Sequence, residues 1–270
     1  MKELDALILG LVQGLTEYLP VSSSGHLAVG AELLGNKDAA ENLAFTVLVH
    51  AATCLSSIVI FWRPILDILR DLLKFQWNAN TRYTAMLLVA DIPVIVAGLL
   101  FADEIDALFA GNMSFIGAMW LLTATLLLLT TLVSKQEKPL TFLNTFLIGI
   151  GQTLAIMPGL SRAGTTIATG LLLGVERAQV ARFSFLMVIV PVLGKTLLDL
   201  KDVLSGDGGS FASLSVVPAS VGFLAAFISG LFACWAMIRL VNKGKVHYFA
   251  YYCIAAGILA LLIGNGVIQP

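Results

Sequence analysis

Apolar residues along this chain fall into two kinds of stretch. Six segments, at about 45–62, 83–101, 113–133, 183–200, 219–240 and 248–266, approach the roughly 20 residues a helix needs to cross about 30 Å of hydrocarbon. Two other regions break early. Residues 5–18 turn at Pro20 and resume at 24–34, ending at Gly35; residues 141–156 turn at Pro158-Gly159 and resume at 163–173, ending at Gly174. At 1.5 Å per residue these pieces reach only about 16 to 24 Å. Both read as re-entrant helical hairpins, whose exposed turn backbone at membrane depth requires surrounding protein or a wet cavity. The expected fold is an all-α polytopic membrane protein with six transmembrane helices, two re-entrant hairpins and an inverted-topology repeat.

The repeat rests on a constant offset of 139 residues: Gly10 matches Gly149, Gln13 matches Gln152, Leu15 matches Leu154, Ser22 matches Ser161 and Gly25 matches Gly164. Three spans follow each hairpin, an odd number that inverts the second copy. Such repeats, with broken helices meeting near the midplane, are most often seen in transporters. The chain therefore reads as one membrane domain over 1–270, with a first repeat at 1–138 and a second at 139–270.

Composition agrees: 58% of residues are hydrophobic and 12% charged, outside the range of water-soluble domains. A formal net charge of −1 gives no basic surface for nucleic acid. Cys54, Cys234 and Cys253 lie singly in apolar runs and read as small hydrophobes. The opening MKELDALILGLVQG lacks a basic n-region and a cleavage site, so the mature chain is expected to start near Met1.

Loop charge sets the orientation. Residues 63–82, 134–182 outside the hairpin turn and 239–247 hold eleven Lys and Arg, whereas residues 1–44, 102–112 and 201–218 hold three. The positive-inside rule places the first group in the cytoplasm. Both termini, the DEID loop and the GDGGS loop then face outward. The first hairpin opens to the outer face and the second to the inner.

Chemistry concentrates in the hairpins. Gln13 and Glu17 are four apart on one face of the first half-helix. Ser22, Ser23 and Ser24 follow where a new helix begins; its free N–H groups and positive dipole end favour an anion. Gly25 lets a ligand approach the backbone, and His26 lies in the first turn. The second hairpin, MPGLSRAGTT, has Ser161 as cap, Arg162 at the helix start, Gly164, and then Thr165 and Thr166 in the first turn. An arginine near the bilayer centre is costly unless it meets an anion. Together these groups describe a phosphate or diphosphate site: Glu17 as general base or metal ligand, a serine or the imidazole as nucleophile, Arg162 as a bidentate clamp. Phosphoryl transfer needs mostly such positioning and charge stabilisation.

QGLTEYLPVSSSGH and PGLSRAGTT resemble the two signature motifs of the undecaprenyl-diphosphate phosphatase family (BacA/UppP), and the similarity runs through the chain, including Phe61-Trp62 and GLLF at 98–101. The resemblance implies removal of the terminal phosphate of the C55 isoprenoid diphosphate carrier. That returns undecaprenyl phosphate to cell-wall synthesis in the bacterial inner membrane and confers bacitracin tolerance. It implies that Gln13 and Glu17 occupy the acidic motif, Ser23 and His26 the nucleophile and proton-transfer positions, and Arg162 the diphosphate-binding position. It also implies a divalent cation, Mg²⁺ or Ca²⁺. Gln13 stands where many members carry glutamate; an amide is no base, so Glu17 carries that role alone. Ala163 stands where a serine is frequent, which removes a hydroxyl near the phosphate.

Each polar residue also has a structural reading. Glu17 caps turn amides or pairs with Arg162; Ser22 and Ser161 are caps, the latter also donating to phosphate; Thr165 and Thr166 contact ligand or pack; Gln152 lines the cavity as counterpart of Gln13. Asp91, just before Pro93, bonds backbone freed by the kink. His50 bonds a neighbouring helix, His247 belongs to the basic inner loop, and Lys195 with Asp199 forms an i,i+4 pair. The leading expectation is a lipid diphosphatase with an outward-facing site and undecaprenyl diphosphate and membrane lipid as partners; the chain also admits a homodimer. The alternative is a flippase or transporter of the phosphorylated lipid carrier. A channel would require polar residues along the spans, and these are sparse.

Overall fold

A computed structural model describes residues 2–33, 43–101, 104–105, 113–133, 137–205 and 215–267. The DEID and GDGGS loops fall partly or wholly outside these residues, as do the side chains of Lys195 and Asp199. The described chain is helical throughout: α1 Glu3–Tyr18, α2 Ser23–Leu33, α3 Leu43–Ile60, α4 Trp62–Leu72, α5 Ala79–Leu100, α6 Met113–Leu129, α7 Phe142–Leu154, α8 Arg162–Leu172, α9 Arg177–Met187, α10 Ile189–Ser205, α11 Val216–Asn242 and α12 Tyr248–Gly264.

Among the described residues, four helical stretches are long and apolar enough to cross a membrane: Ala79–Leu100, Met113–Leu132, Arg177–Leu198 and Val216–Asn242. A fifth is added if α3 and α4, bent by 76° at Phe61, count as one. The expected segment at 45–62 therefore ends in a sharp bend. Pro64, in the first turn of α4, has no N–H to donate to the Ile60 carbonyl, so the ladder stops there. Beyond the bend, α4 puts Trp62, Leu66 and Leu69 on one exposed stripe and Arg63, Asp67 and Arg70 on another, the pattern of a helix lying along a lipid–water boundary. The expected segment at 183–200 spans α9 and α10, which meet at Val188. The segment at 248–266 falls on α12, an apolar helix of 17 residues.

Outward apolarity marks the solvent this fold expects. Leu99, Ile228, Phe232 and Tyr251 are each more than half exposed, which suits lipid and not water. Inside, small residues let backbones approach, the usual device where the surrounding tails are as apolar as the core. A Cβ on Gly10 of α1 would stand 2.4 Å from the Gly222 carbonyl oxygen of α11, and one on Gly149 of α7 would stand 2.1 Å from that of Ala90 in α5. Gly117 of α6 and Gly257 of α12 approach each other in the same way. The largest core cluster gathers Ile148, Ile167, Leu171, Phe183, Met187 and Met237 around α8 and α9.

The two helical pairs α1–α2 and α7–α8 break where the sequence predicts. Thr141 caps α7, accepting from the Asn144 N–H while the Asn144 side chain accepts from Thr141 N–H at 2.7 Å. Just outside α7 and α8, Lys138 N–H donates to Gly174 O and Glu176 N–H to Lys138 O, both at 3.0 Å. This bridge ties the chain entering α7 to the chain leaving α8.

Candidate active site

The turn between α1 and α2 frees several carbonyls, and each finds a donor from another element or from α2. Trp120 Nε1–H of α6 donates to Val21 O at 2.6 Å and the Cys253 thiol of α12 to Pro20 O at 3.4 Å. Ser22 O receives both the backbone N–H of His26 and its Nδ1, at 3.3 and 2.7 Å. Ser22 adopts a positive φ of 69°, and its hydroxyl accepts from Gly25 N–H at 3.4 Å, the expected cap. In the second turn Gly159 has φ +91°, Ser161 Oγ accepts from Gly164 N–H at 3.1 Å, and Ser161 N–H donates to Thr123 Oγ1 at 3.1 Å.

The tips of the two turns touch. Gly159 N–H reaches Ser24 Oγ at 3.5 Å, and a Cβ on Gly164 would lie 3.2 Å from that of Pro20. Across this junction the Arg162 guanidinium donates to Glu17 Oε1 in a close ion pair. Glu17 Oε2 accepts from Ser23 Oγ at 2.8 Å and from Gln13 Nε2 at 3.0 Å. The Glu17 side chain is 10% exposed and that of Arg162 24%, so the pair is shielded but reachable. Gln13 is fully buried and its Oε1 has no hydrogen-bond partner.

Glu17 and Arg162 line a cleft between α1, α3, α8 and the α9–α10 segment. Tyr18, Thr53, Ser57, Thr166 and Ser184 add hydroxyls, while Cys54, Val188, Ile189 and Val192 make an apolar wall. The lining is thus charged at Glu17 and Arg162 and oily along Val188, Ile189 and Val192.

Other expected groups stand elsewhere. His26 is held by Ser22 O and by the Tyr252 hydroxyl, which lies 2.5 Å from its Nε2, and it packs against the Trp120 ring. The space beside Gly25, expected to admit a ligand, is filled by Trp120, whose ring carbon would lie 2.9 Å from a Cβ there. Thr166 Oγ1 donates back to Arg162 O at 2.9 Å, while Thr165 Oγ1 is buried without a partner. Gln152 donates at 2.9 Å to Asp91 Oδ1. Asp91 therefore bonds α7 in place of the freed backbone expected for it. His50 Nδ1 bonds Thr46 O of its own helix at 2.9 Å. Sequence reasoning passed over Tyr18, Trp120, Thr123, Ser184 and Tyr252; of these only Tyr18, beside Glu17, carried a local signal.

The bundle, apolar on its outer face and with a charged, hydroxyl-bearing cleft where two broken helical pairs meet, is that of a polytopic membrane protein. Comparison with known proteins narrows this: residues 6–259 match the model of the bacitracin resistance protein BacA family, and the chain belongs to that family. It is 48% identical over 268 residues to an undecaprenyl-diphosphatase of Bacteroides fragilis, covering 98% of this chain and 99% of that protein. It is 49% identical to the undecaprenyl-diphosphatase of Parabacteroides distasonis, covering 97% and 98% of the two chains. The corresponding protein of Carboxydothermus hydrogenoformans is 38% identical over 97% of this chain and 98% of its own.

Proposed function

We propose that this protein is a membrane undecaprenyl-diphosphatase, hydrolysing the C55 prenyl diphosphate to undecaprenyl phosphate and inorganic phosphate. The observation that carries the reading is the Glu17–Arg162 pair joining two turns, with Ser23 hydrogen-bonded to the same carboxylate. A diphosphate entering the cleft competes with Glu17 for the guanidinium, whose planar fork suits phosphate oxygens. Release of Glu17 leaves it as base for the Ser23 hydroxyl, the nucleophile–base pairing of covalent catalysis. Ser23 Oγ bonds to the terminal phosphorus, the bond to the bridging oxygen breaks, and the prenyl monophosphate leaves. Water then attacks the phosphoserine, giving inorganic phosphate and free Ser23. Thr166 of the cleft wall and the N-terminus of α8 at Gly164 add donors beside the guanidinium, with Ser22, Ser24, Ser161 and Thr165 in the two turns behind them.

A hard divalent cation, Mg²⁺ or Ca²⁺, fits the same corner: Glu17 offers a carboxylate, and the unpartnered Oε1 of Gln13 a second oxygen. With substrate oxygens and water completing its shell, Glu17 and Gln13 would hold it. When bound it would neutralise charge on the diphosphate.

In this reading α3, α5, α6, α9–α10, α11 and α12 are six crossings, and α1–α2 and α7–α8 are re-entrant, in an inverted repeat of 1–138 and 139–270. The Lys138–Val175 bridge supports re-entry, since it draws the two ends of α7–α8 together. Gly10 and Gly149, matched in the repeat, each pack against a long helix of the other half, as an inverted pair requires. Positive-inside counting favours the inner membrane with the site facing outward. A homodimer belongs to the same reading.

Phosphate release by purified protein in detergent, with divalent cation, is the test. Wild type should turn over prenyl diphosphate, while Glu17→Ala and Arg162→Ala, still folded, should release none. Full turnover by either folded variant refutes the assignment, and lipid transfer across vesicles without hydrolysis would favour a flippase.

A further inference from the structure

The hydroxyls lining the cleft are mostly spent on the protein itself. Tyr18 bonds the Thr53 carbonyl and pairs with Ser57 Oγ at 2.9 Å, Thr53 donates to His50 O at 2.9 Å, and Thr166 donates to Arg162 O at 2.9 Å. Ser184 differs. It is 5% exposed, lines the cleft, and its Oγ has no hydrogen-bond partner. A serine within a helix ordinarily returns its proton to a carbonyl one turn back. Leaving a buried hydroxyl unmatched costs stability, and here the residue that carries it lines the cleft.

Its position along the wall says which part of a ligand it meets. Ser184, Val188 and Val192 follow at i, i+4 and i+8 and all line the cleft, so one stripe runs from hydroxyl to hydrocarbon. The charged end, at Glu17 and Arg162, takes the terminal phosphate; Val188, Ile189 and Val192 take the tail. Between a terminal phosphate and a prenyl chain stands only the phosphate esterified to the lipid.

We propose that Ser184 donates a hydrogen bond to the lipid-linked phosphate of the substrate, the one retained on the product. This rests on the diphosphatase reading. Because that phosphate is present before and after cleavage, the bond holds substrate and product alike. Its loss appears in KM, and the charge the phosphate gains as it departs adds a fall in kcat. It also makes Ser184 a determinant of product affinity, separate from the Arg162 clamp.

The experiment uses purified full-length protein in detergent with farnesyl diphosphate as substrate, and farnesyl monophosphate and inorganic phosphate as inhibitors. For Ser184→Ala, KM should rise about three- to tenfold, as loss of one neutral hydrogen bond allows. The inhibition constant of farnesyl monophosphate should rise by the same factor, with that of inorganic phosphate unchanged. Unaltered KM and monophosphate inhibition in folded Ser184→Ala, or a loss confined to kcat, would overturn the proposal. Should that variant fail to fold, Ser184→Cys, a weaker donor of similar size, is expected to raise both constants together, and normal values in it overturn the proposal equally. Wild type that binds farnesyl monophosphate yet releases no phosphate from farnesyl diphosphate would refute the diphosphatase reading instead; Ser184 is then judged on monophosphate binding alone.

Discussion

Tyr252 and His26, 226 residues apart, share a 2.5 Å hydrogen bond and nearly parallel rings. The Ser22 carbonyl can only accept, so Nδ1 carries the imidazole proton and Nε2 accepts from the tyrosine hydroxyl. Tyr252 thereby orients a ring that the family resemblance puts forward for proton transfer.

If His26 acts in turnover through this orientation, Tyr252→Phe and His26→Ala lower phosphate release together. The double variant is expected to be no slower than His26→Ala, a coupling that a double-mutant cycle reads directly. Additive losses would separate the two residues.

Glu17 and Arg162 also bear on stability. Removing one partner of a shielded pair strands the other charge, so Glu17→Ala or Arg162→Ala is expected to cost up to about 3–5 kcal/mol, less as far as solvent reaches the arginine. Replacing both, as in Glu17→Gln with Arg162→Met, should recover much of the melting temperature while phosphate release stays absent. A double variant as unstable as the singles would contradict this.

Glycines at the helix crossings make a sharper mechanical test. Gly10→Ala and Gly149→Ala drive a methyl against a facing carbonyl at 2.4 and 2.1 Å, and each is expected to destabilise by about 1–3 kcal/mol. Gly98→Ala and Gly194→Ala, with nothing within 4 Å of the added carbon, should leave the melting temperature unchanged or raise it. Equal effects at all four sites would show that close approach is not what the paired glycines serve.

Asp91 is fully buried and bonded to Gln152. Asp91→Ala is expected to lower the melting temperature, since it leaves the Gln152 amide without a partner, at a cost of about 1–3 kcal/mol. Asp91→Asn, which keeps an acceptor, should melt near wild type, and both should retain turnover once folded. Lost turnover in folded Asp91→Asn would give this residue a part in the reaction.

The broken helical pairs were legible in the sequence because proline and glycine interrupt apolar runs too short to cross, and α1, α2, α7 and α8 begin and end close to those breaks. Glu17 and Arg162 were legible for a related reason: each is a charge in an apolar setting that has to be answered. The 76° bend after Ile60 was not, because Pro64 in a helical first turn reads as harmless until the preceding helix is known to continue up to it. Ser184 and Tyr252 were hidden differently. A lone hydroxyl in an apolar helix carries no sign of whether it faces lipid, a neighbour or a cleft, and only the packed bundle decides. Gly25 shows the converse: a bare backbone beside an anion-binding helix start suggested ligand access, yet an indole took the space.

Arg162 already has its counter-ion in Glu17, and this makes the resting protein choosy about company. A phospholipid diester, with a single negative charge on its phosphate, gains little by prising apart a pair that is already neutral. A terminal phosphate carrying two charges gains far more from the same guanidinium. Under the diphosphatase reading proposed above, the membrane's abundant diesters would thus be turned away by valence and a scarce carrier admitted from among them.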